Sequence, residues 1–338
     1  MINTVSITIP CKNEEKYIAP CLQSIVEADY PHELLRVFVV DGRSEDRTRE
    51  IVKRFEDHYS YIQLIDNPKE VTPVALNLGL KHSNSDVKII LGAHSTIDSS
   101  FIQRNVDVLT SHPEIGCSGG VIDNVNENES AEIIALAMSS SFGVGNAHFR
   151  TGGAEGYVDT VAFGAYRKEV FEKIGFFDEE LVRNQDDEFN YRLLKNGFKI
   201  YLDKKIRSSY SVRGDFKKLF KQYFQYGYWK VYVNLKHKSI TTIRQLVPLL
   251  FVKYLIVGLV GSLMIPSFTY VYLLGLFFYL FVGVYFALKK TTVASKVFKV
   301  LMVFFVLHTS YGYGYLRGVL DFILLRKKPG KKSKELSR

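Results

Sequence analysis

The amino-acid sequence predicts an α/β chain: a parallel sheet with helices on both faces, followed by an α-helical membrane region. Three observations predict it. Strand-like and helix-like segments alternate from Val5 to His94. Nearly all the long apolar runs fall in residues 245–325. Basic residues cluster at the ends of those runs. The whole-chain figures average over this division: 338 residues, 47% hydrophobic, 14% aromatic and a formal charge of +9, with a mean hydropathy of +0.00. That composition allows about two domains and excludes a disordered chain. Cys11, Cys21 and Cys117 are odd in number and form no CxxC pair, which excludes a disulfide-stapled framework and leaves reduced thiols.

The elements follow in order. VSITIP, Val5 to Pro10, alternates like a strand and is too short for the apolar core of a signal peptide. Asn13 to Ala28 carries Tyr17, Ile18, Cys21, Leu22 and Ile25 at helical spacing. LLRVFVVDG, ending at Asp41-Gly42, is an almost continuous apolar run, as a parallel strand covered on both faces reads. Ser44 can cap a helix from Thr48 to His58; then come a strand YIQLID, a helix from Pro73 to His82 and a strand VKIILGAH. Ligands of such sheets sit beyond the carboxyl ends of the strands. The residues there are Pro10, Asn13 and Glu14 after the first strand, Asp41-Gly42 after the second and Gly92-Ala93-His94 after the fourth. No glycine fingerprint follows the first strand and no GxxxxGK[ST] occurs, which excludes the usual dinucleotide grip and the P-loop enzymes. What remains is a Rossmann-like sheet that binds a nucleotide with carboxylates and amides.

The runs VSITIPCKNEEKYIAPCLQSI, VFVVDGRSEDRTREI, NPKEVTPVALNLGL and VDTVAFGAYRKEVFEKIGFFDEELVRNQDDEFNYRLLKNGFKI together resemble the inverting, GT-A type, family-two glycosyltransferases over roughly residues 4–235. Within that family the chain is most similar to the membrane-anchored exopolysaccharide glycosyltransferases of the succinoglycan type, which share NQDDE-x-NYR and QYF-x-YG-x-WK. The resemblance implies a nucleotide-diphosphate-sugar donor, usually a UDP-sugar, and inversion at the anomeric carbon. It implies a GT-A domain over residues 1–235, a Rossmann-like mixed, mainly parallel sheet with flanking helices, closing with an interfacial amphipathic segment from about 215, then an α-helical transmembrane or re-entrant region over 245–326 and a basic tail over 327–338.

A sugar nucleotide needs hydrogen bonds to its base, counter-charge for its diphosphate and a base for the acceptor hydroxyl. Asp41 can accept the uracil N–H, and Asn13 with the backbone near Pro10 can close over the ring; Asp41-Gly42 reads otherwise as an ordinary turn. The resemblance puts the uridine at these positions and adds Glu14, Asn77 and Ala93 to the donor side. Family members usually present Asp-x-Asp after the fourth strand, whereas this chain has Gly92-Ala93-His94, so the first ligand is missing and the third is an imidazole. A divalent cation, Mn²⁺ or Mg²⁺, is still implied, and one imidazole among oxygen ligands shifts the preference toward Mn²⁺. His94 reads either as that ligand or as a strand-end histidine bonded to backbone or phosphate.

Inverting transfer is a one-step displacement in which a carboxylate removes the acceptor proton. Asn184-Gln185-Asp186-Asp187-Glu188 supplies three successive carboxylates ahead of a helix from Phe189 to Asn196. The resemblance places the base at Asp186 and puts Asp187 on the acceptor side; the same cluster would also favour a helix N-terminus. It lines the acceptor pocket with a strand from Thr160 to Tyr166, where Gly164 would allow close backbone approach. The glycine-rich stretch Thr151 to Gly156 reads as a loop over the site, or as a phosphate cradle.

Leu246 to Met264 and Tyr270 to Leu288 each reach the length of a membrane-crossing helix. A third run, Val297 to Leu325, carries His308, Arg317, Asp321 and internal glycines, and reads as a span or as two half-helices. Lys236, Lys238 and Arg244 precede the first run, Lys289, Lys290, Lys296 and Lys299 follow the second, and RKKPGKKSK follows the third. All three clusters favour the cytoplasm, so an even number of crossings is expected, with the third run re-entrant or interfacial. Asp215 to Lys238 interleaves lysines with aromatic residues and reads as a basic helix on an anionic leaflet, with membrane lipids and no nucleic acid as partners. The resemblance sets Gln222, Tyr226 and Trp229 at an acceptor- and diphosphate-side motif of processive synthases whose arginine is absent here. The expected protein is a multi-pass glycosyltransferase of the inner or plasma membrane with a cytoplasmic catalytic domain, serving a lipid-linked saccharide acceptor in exopolysaccharide or capsule assembly. The alternatives are a processive polysaccharide synthase and a catalytically weakened, sugar-nucleotide-binding scaffold.

Overall fold

Val5–Cys11 forms β1 and is buried along almost its whole length, because a strand flanked by two others and covered by helices has no solvent face. The chain then turns at Asn13, whose φ of +54° is left-handed, so α1 begins only at Ile18 and runs Ile18–Val26, shorter than the expected Asn13 to Ala28. Then come β2 (Leu35–Asp41), α2 (Thr48–His58), β3 (Ile62–Asp66), α3 (Thr72–His82) and β4 (Val87–Ile90). The order β3-β2-β1-β4 is parallel throughout, with Val5 level with both Leu35 and Val87. These are the βα alternations that the hydrophobic periodicity predicts. The strand order reverses beside β1, which places the crevice at the strand ends after β1, β2 and β4.

The computed structural model describes residues 4–153, 155–212 and 214–330; the last eight residues of the expected basic tail lie outside them. Beyond β4 come β5 (Ser95–Ile97), α4 (Phe101–Ser111), β6 (Ile115–Asn126), α5 (Glu129–Met138), α6 (Ser141–Val144), α7 (His148–Thr151), β7 (Gly156–Val158), β8 (Ala162–Arg167), α8 (Lys168–Ile174), α9 (Gln185–Lys195) and β9 (Lys199–Val212). The sheet continues β4-β8-β6-β9-β5, with β7 on β9. The pairs β4–β8, β6–β8, β5–β9 and β7–β9 are antiparallel. The sheet is therefore mixed, a parallel half carrying the nucleotide-type crevice and an antiparallel half. Its main core joins Ile7, Ile9, Leu22, Val37, Val39 and Ile89.

Two compact units divide the chain: Met1–Val125 with Ala147–Ser211, and Asn126–Asn146 with Val212–Arg338. The second is helical, with α5 and α6 joined by α10 (Phe216–His237), α11 (Val247–Met264), α12 (Phe268–Leu288) and α13 (Ala294–Gly318), the last continued by a wider helical turn over Val319–Leu324. Among the described residues, three helices are long and apolar enough to cross a membrane: Ile243–Met264, Phe268–Leu288 and Ala294–Leu324. The third is one continuous helix and not two half-helices. Its glycines do not break it because they are contact points: a Cβ on Gly314 would stand 2.0 Å from the Phe224 carbonyl oxygen, and one on Gly312 would stand 2.2 Å from the Pro248 carbonyl oxygen.

The same packing involves α10. Asp215 caps it, accepting from the Lys217 and Lys218 amides at 2.8 and 3.0 Å. Part of its aromatic surface packs on protein: Trp229 is fully buried, and Val231 clusters with Tyr311, Tyr315 and Phe322 of the third apolar run, while Phe216 and Phe220 are exposed. Gly227 lets α10 approach α13, since a Cβ there would lie 2.0 Å from the Tyr311 carbonyl oxygen; small residues permit such approach where helices pack backbone to backbone. Gly227→Val is expected to separate the pair. Overpacking costs about 1–3 kcal/mol, so the apparent Tm in detergent should fall by about 2–10 °C; an unchanged Tm would show that the two helices do not depend on this contact.

Candidate active site

Three loops at the carboxyl ends of β1, β2 and β3 are tied into one floor. Each contains a non-glycine residue with left-handed backbone, Asn13, Arg43 and Glu70, a conformation that surrounding contacts must enforce. Asn13 is held on both sides: its amide donates to Ser44 Oγ at 2.8 Å and its Oδ1 accepts from the Glu45 amide at 2.9 Å. Lys12 pairs with Glu70 at 2.5 Å, and the Gly42 amide donates to the Cys11 carbonyl at 2.9 Å. Pro10, at the end of β1, lies beside this floor in register with Val40.

Asp41 is fully buried at the end of β2. Its carboxylate accepts from Ser44 Oγ at 2.5 Å, the Ser44 amide at 3.0 Å and Arg49 Nη1 at 2.7 Å. Arg49 also bridges to Asp66 at 2.9 Å, and the bond to Asp41 leads the causes that raise the guanidinium's pKa. In this arrangement Asp41 organises the loop over residues 41–49 and offers no free edge to a base. Asn77 is likewise occupied: its Oδ1 accepts from the Phe177 amide at 3.0 Å, and its Nδ2 donates to the Phe177 carbonyl at 2.9 Å and to Glu179 at 3.2 Å. The expected donor-side Asn77 instead fastens α3 to the segment after α8, because its amide is used at both ends.

After β4 the chain passes through Gly92, buried Ala93 and His94. A Cβ on Gly92 would meet the Phe163 ring at 3.2 Å and Ser95 Oγ at 3.3 Å, so a larger residue there would need both to give way. Glu14 is 5% exposed, and its Oε1 faces His94 Nδ1 at 3.7 Å. That nitrogen is buried with no hydrogen-bond partner. The His94 ring meets Tyr210 edge-on at 4.8 Å and Tyr17 at 6.3 Å. An orphan imidazole nitrogen facing a buried carboxylate oxygen fits a cation that completes its shell with phosphate oxygens and water. It is two donors and not a cage: among the described residues no three His, Cys, Asp or Glu side chains converge.

The acidic cluster lies inside the first turn of α9 and not ahead of the helix, which starts at Gln185 after a left-handed Asn184. The three carboxylates separate by environment. Asp186 is exposed and Asp187 half-buried, whereas Glu188 is 3% exposed and gripped by Arg192 at 2.6 and 3.0 Å. The α9 helix is pinned to β8 through Tyr166 Oη, which meets Asn190 Oδ1 at 3.1 Å. Burial pushes the Tyr166 hydroxyl well up, and the nearby Cys117 and Asp186 add to the shift. Asp186 is thus an exposed carboxylate in the first turn of a helix whose middle is pinned to β8.

The glycosyl transferase family 2 model matches residues 6–175, half of the chain. The chain belongs to glycosyl transferase family 2. It is a transferase. It is 36% identical over 234 residues to the dolichyl N-acetyl-α-D-glucosaminyl phosphate 3-β-D-2,3-diacetamido-2,3-dideoxy-β-D-glucuronosyltransferase of Methanococcus voltae, covering 67% of this chain and 72% of the other. It is 32% identical over 248 residues to the succinoglycan biosynthesis protein ExoA of Rhizobium meliloti, covering 72% and 74%. The mannosyltransferase PcManGT from Pyrobaculum calidifontis, solved with GDP-Man and Mn²⁺, shares the fold with a TM-score of 0.61 at 17% identity over 94% of this chain and 87% of that one. S. aureus TarS 1-349, solved with UDP-GlcNAc, matches with a TM-score of 0.52 at 18% identity, covering 66% of this chain and 65% of that one.

Against this family 2 frame, the remaining expected residues divide. Gly164 sits in β8, where a Cβ would strike Cys117 Sγ at 2.8 Å; it is a packing glycine, and the strained neighbour is Phe163, with φ +47°. The β6–β8 register slips between Ser118 and Gly120, and this bulge holds Phe163 in the left-handed region. Gln222, Tyr226 and Trp229 belong to the second unit: Gln222 Nε2 donates to Tyr226 Oη at 2.8 Å, while Trp229 is core and presents nothing to a ligand. In the glycine-rich stretch, Ala154 lies outside the described residues, and the preceding part closes the α7 turn. Gly152 takes φ +67°, and a Cβ on Gly153 would meet His148 Nδ1 at 2.1 Å. The residue missed by sequence reasoning is Arg150, carried by that turn.

Proposed function

We propose that this family 2 glycosyltransferase moves a sugar from a nucleotide-diphosphate donor, a UDP-sugar, to a lipid-linked saccharide acceptor in exopolysaccharide or capsule assembly. The observation that carries the reading is the exposed Asp186 carboxylate in the first turn of α9, in the same compact unit as the Glu14–His94 pair. Relatives whose names specify a dolichyl-phosphate-linked acceptor and succinoglycan synthesis support it. In the proposed reaction Asp186 takes the acceptor proton as the acceptor oxygen bonds to the anomeric carbon, and the electron pair of the broken C–O bond leaves on the nucleoside diphosphate. Pro10, Asn13 and the loop held by Asp41 receive the nucleoside; Asp187 lies on the acceptor side. His94 and Glu14 would hold a divalent cation, Mn²⁺ in preference to Mg²⁺, which when bound offsets charge on the leaving diphosphate. We assign catalysis to the sheet-bearing unit and attachment to the plasma membrane to the helices Ile243–Met264, Phe268–Leu288 and Ala294–Leu324.

The test is nucleotide release from UDP-, GDP- and dTDP-sugars by the full chain in detergent, with and without membrane lipid extract. Release from UDP-sugars that requires the extract is expected, with one sugar added per acceptor. Long products would favour a processive synthase, and donor binding without release would favour a scaffold. EDTA should suppress release, Mn²⁺ should restore it best, and His94→Ala should lower it about tenfold, the scale on which metal-site residues act. Full activity in EDTA would remove the cation from the reading.

A further inference from the structure

We propose that Arg150 is the protein's own cation for the leaving diphosphate, a phosphate-binding residue of the donor site. The proposal rests on the nucleotide-diphosphate reading and adds the group that receives the charge. Arg150 is carried by the single turn His148–Thr151, which Gly152 and Gly153 close. Its guanidinium carbon stands 5.5 Å from the Tyr210 ring centre and 5.4 Å from that of Phe149. Tyr210 also neighbours His94, ring to ring at 4.8 Å. One tyrosine ring therefore neighbours both the guanidinium and the imidazole, and the pairing of β5 with β9 sets Tyr210 level with Ser95. Arg150 Nη1 is buried and has no hydrogen-bond partner. A guanidinium nitrogen left unpaired in the interior is costly, and an arginine fork matches two phosphate oxygens better than any other side chain. The nearby His94 Nδ1 is a second buried polar atom with no hydrogen-bond partner.

Charge bookkeeping points the same way. With Gly92 where family members usually place an aspartate, the buried carboxylate that faces His94 is Glu14, while the buried Asp41 is held by Ser44 and Arg49. A fixed positive group reduces the need for a metal cage to supply all the counter-charge. The bond that breaks joins the anomeric carbon to the diphosphate oxygen, whose electron pair is stabilised by the guanidinium while the acceptor proton goes to Asp186.

The test measures calorimetric binding of UDP, GDP and dTDP, and of the matching monophosphates, to the full chain in detergent as wild type, Arg150→Gln and Arg150→Lys, each checked for an unchanged melting profile. Arg150→Gln should weaken the bound diphosphate at least tenfold and its monophosphate less than threefold, with Arg150→Lys between wild type and Arg150→Gln. Unchanged diphosphate affinity in both variants, or equal loss for mono- and diphosphate, overturns the assignment. So does intact nucleotide binding with lost binding to vesicles containing polyprenyl phosphate, which would move the arginine to the acceptor's phosphate. A wild-type chain that binds no nucleoside diphosphate overturns the donor reading itself, a result distinct from a wild type that binds and variants that bind equally well.

Discussion

Asp186→Asn is expected to all but abolish transfer while leaving donor affinity within about threefold of wild type. Positioned general bases contribute about 10²–10⁴-fold, so turnover should fall by that factor. The substitution removes a proton acceptor but keeps the side chain's size. Because the carboxylate is exposed at the helix start, stability should change by no more than the roughly 0.3–1 kcal/mol that a negative charge contributes in a first turn. Asp187→Asn, half-buried and one position on, should retain most turnover. Steady-state nucleotide release with saturating acceptor decides it: near-normal rates for Asp186→Asn would move the base elsewhere.

Glu188→Ala produces the opposite pattern, a stability loss without a primary chemical defect. Glu188 is 3% exposed and paired through two contacts with Arg192, which also donates to the Ile174 carbonyl at 2.5 Å and the Phe176 carbonyl at 2.8 Å. Removing one partner of a buried pair costs about 3–5 kcal/mol because the other charge stays behind. Unfolding midpoints in detergent should therefore drop strongly, while the folded fraction at low temperature keeps measurable transfer. If Glu188→Ala were as stable as wild type but inactive, Glu188 and not Asp186 would be the group in contact with the acceptor. The two neighbours thus test one helix turn in two independent ways.

How much of this was legible follows from the kind of signal each element leaves. From Val5 to His94 the apolar periodicity is strong, and β1, α2, α3 and β4 fall close to the segments it marks. The antiparallel half left little trace, because β5 and β7 have three residues each and find β9 only across long stretches of chain. The acidic run Asp186–Glu188 was visible, but which carboxylate stays exposed depends on Arg192 folding back on Glu188, a three-dimensional fact. Asp41 and Asn77 carry suitable polar groups for a ligand, and composition could not show that Arg49, Ser44 and Phe177 already occupy them. Phe163's left-handed backbone lies where β8 carries one more residue than β6 between paired positions, a mismatch with a distant strand that has no local signature. For Arg150 a signal was present: a basic, aromatic-flanked residue just before Gly152-Gly153, where the glycines drew attention away from the side chain they position.

The excursion Asn126–Asn146 imposes an order on synthesis. It leaves the sheet after β6 and builds α5, whose buried Ile133, Ile134 and Ala137 belong with helices made much later. Glu132 pairs with Lys296 at 2.5 Å and Glu129 with Lys299 at 2.5 Å, so the partners of α5 leave the ribosome only after the whole sheet has been made. At about 5–20 residues per second, α5 stays uncovered for several seconds or longer while the sheet closes around its absence. A fragment ending at Ser211 would keep that uncovered helix permanently, so a soluble form of the sheet-bearing unit requires residues 126–146 to be replaced by a short polar turn.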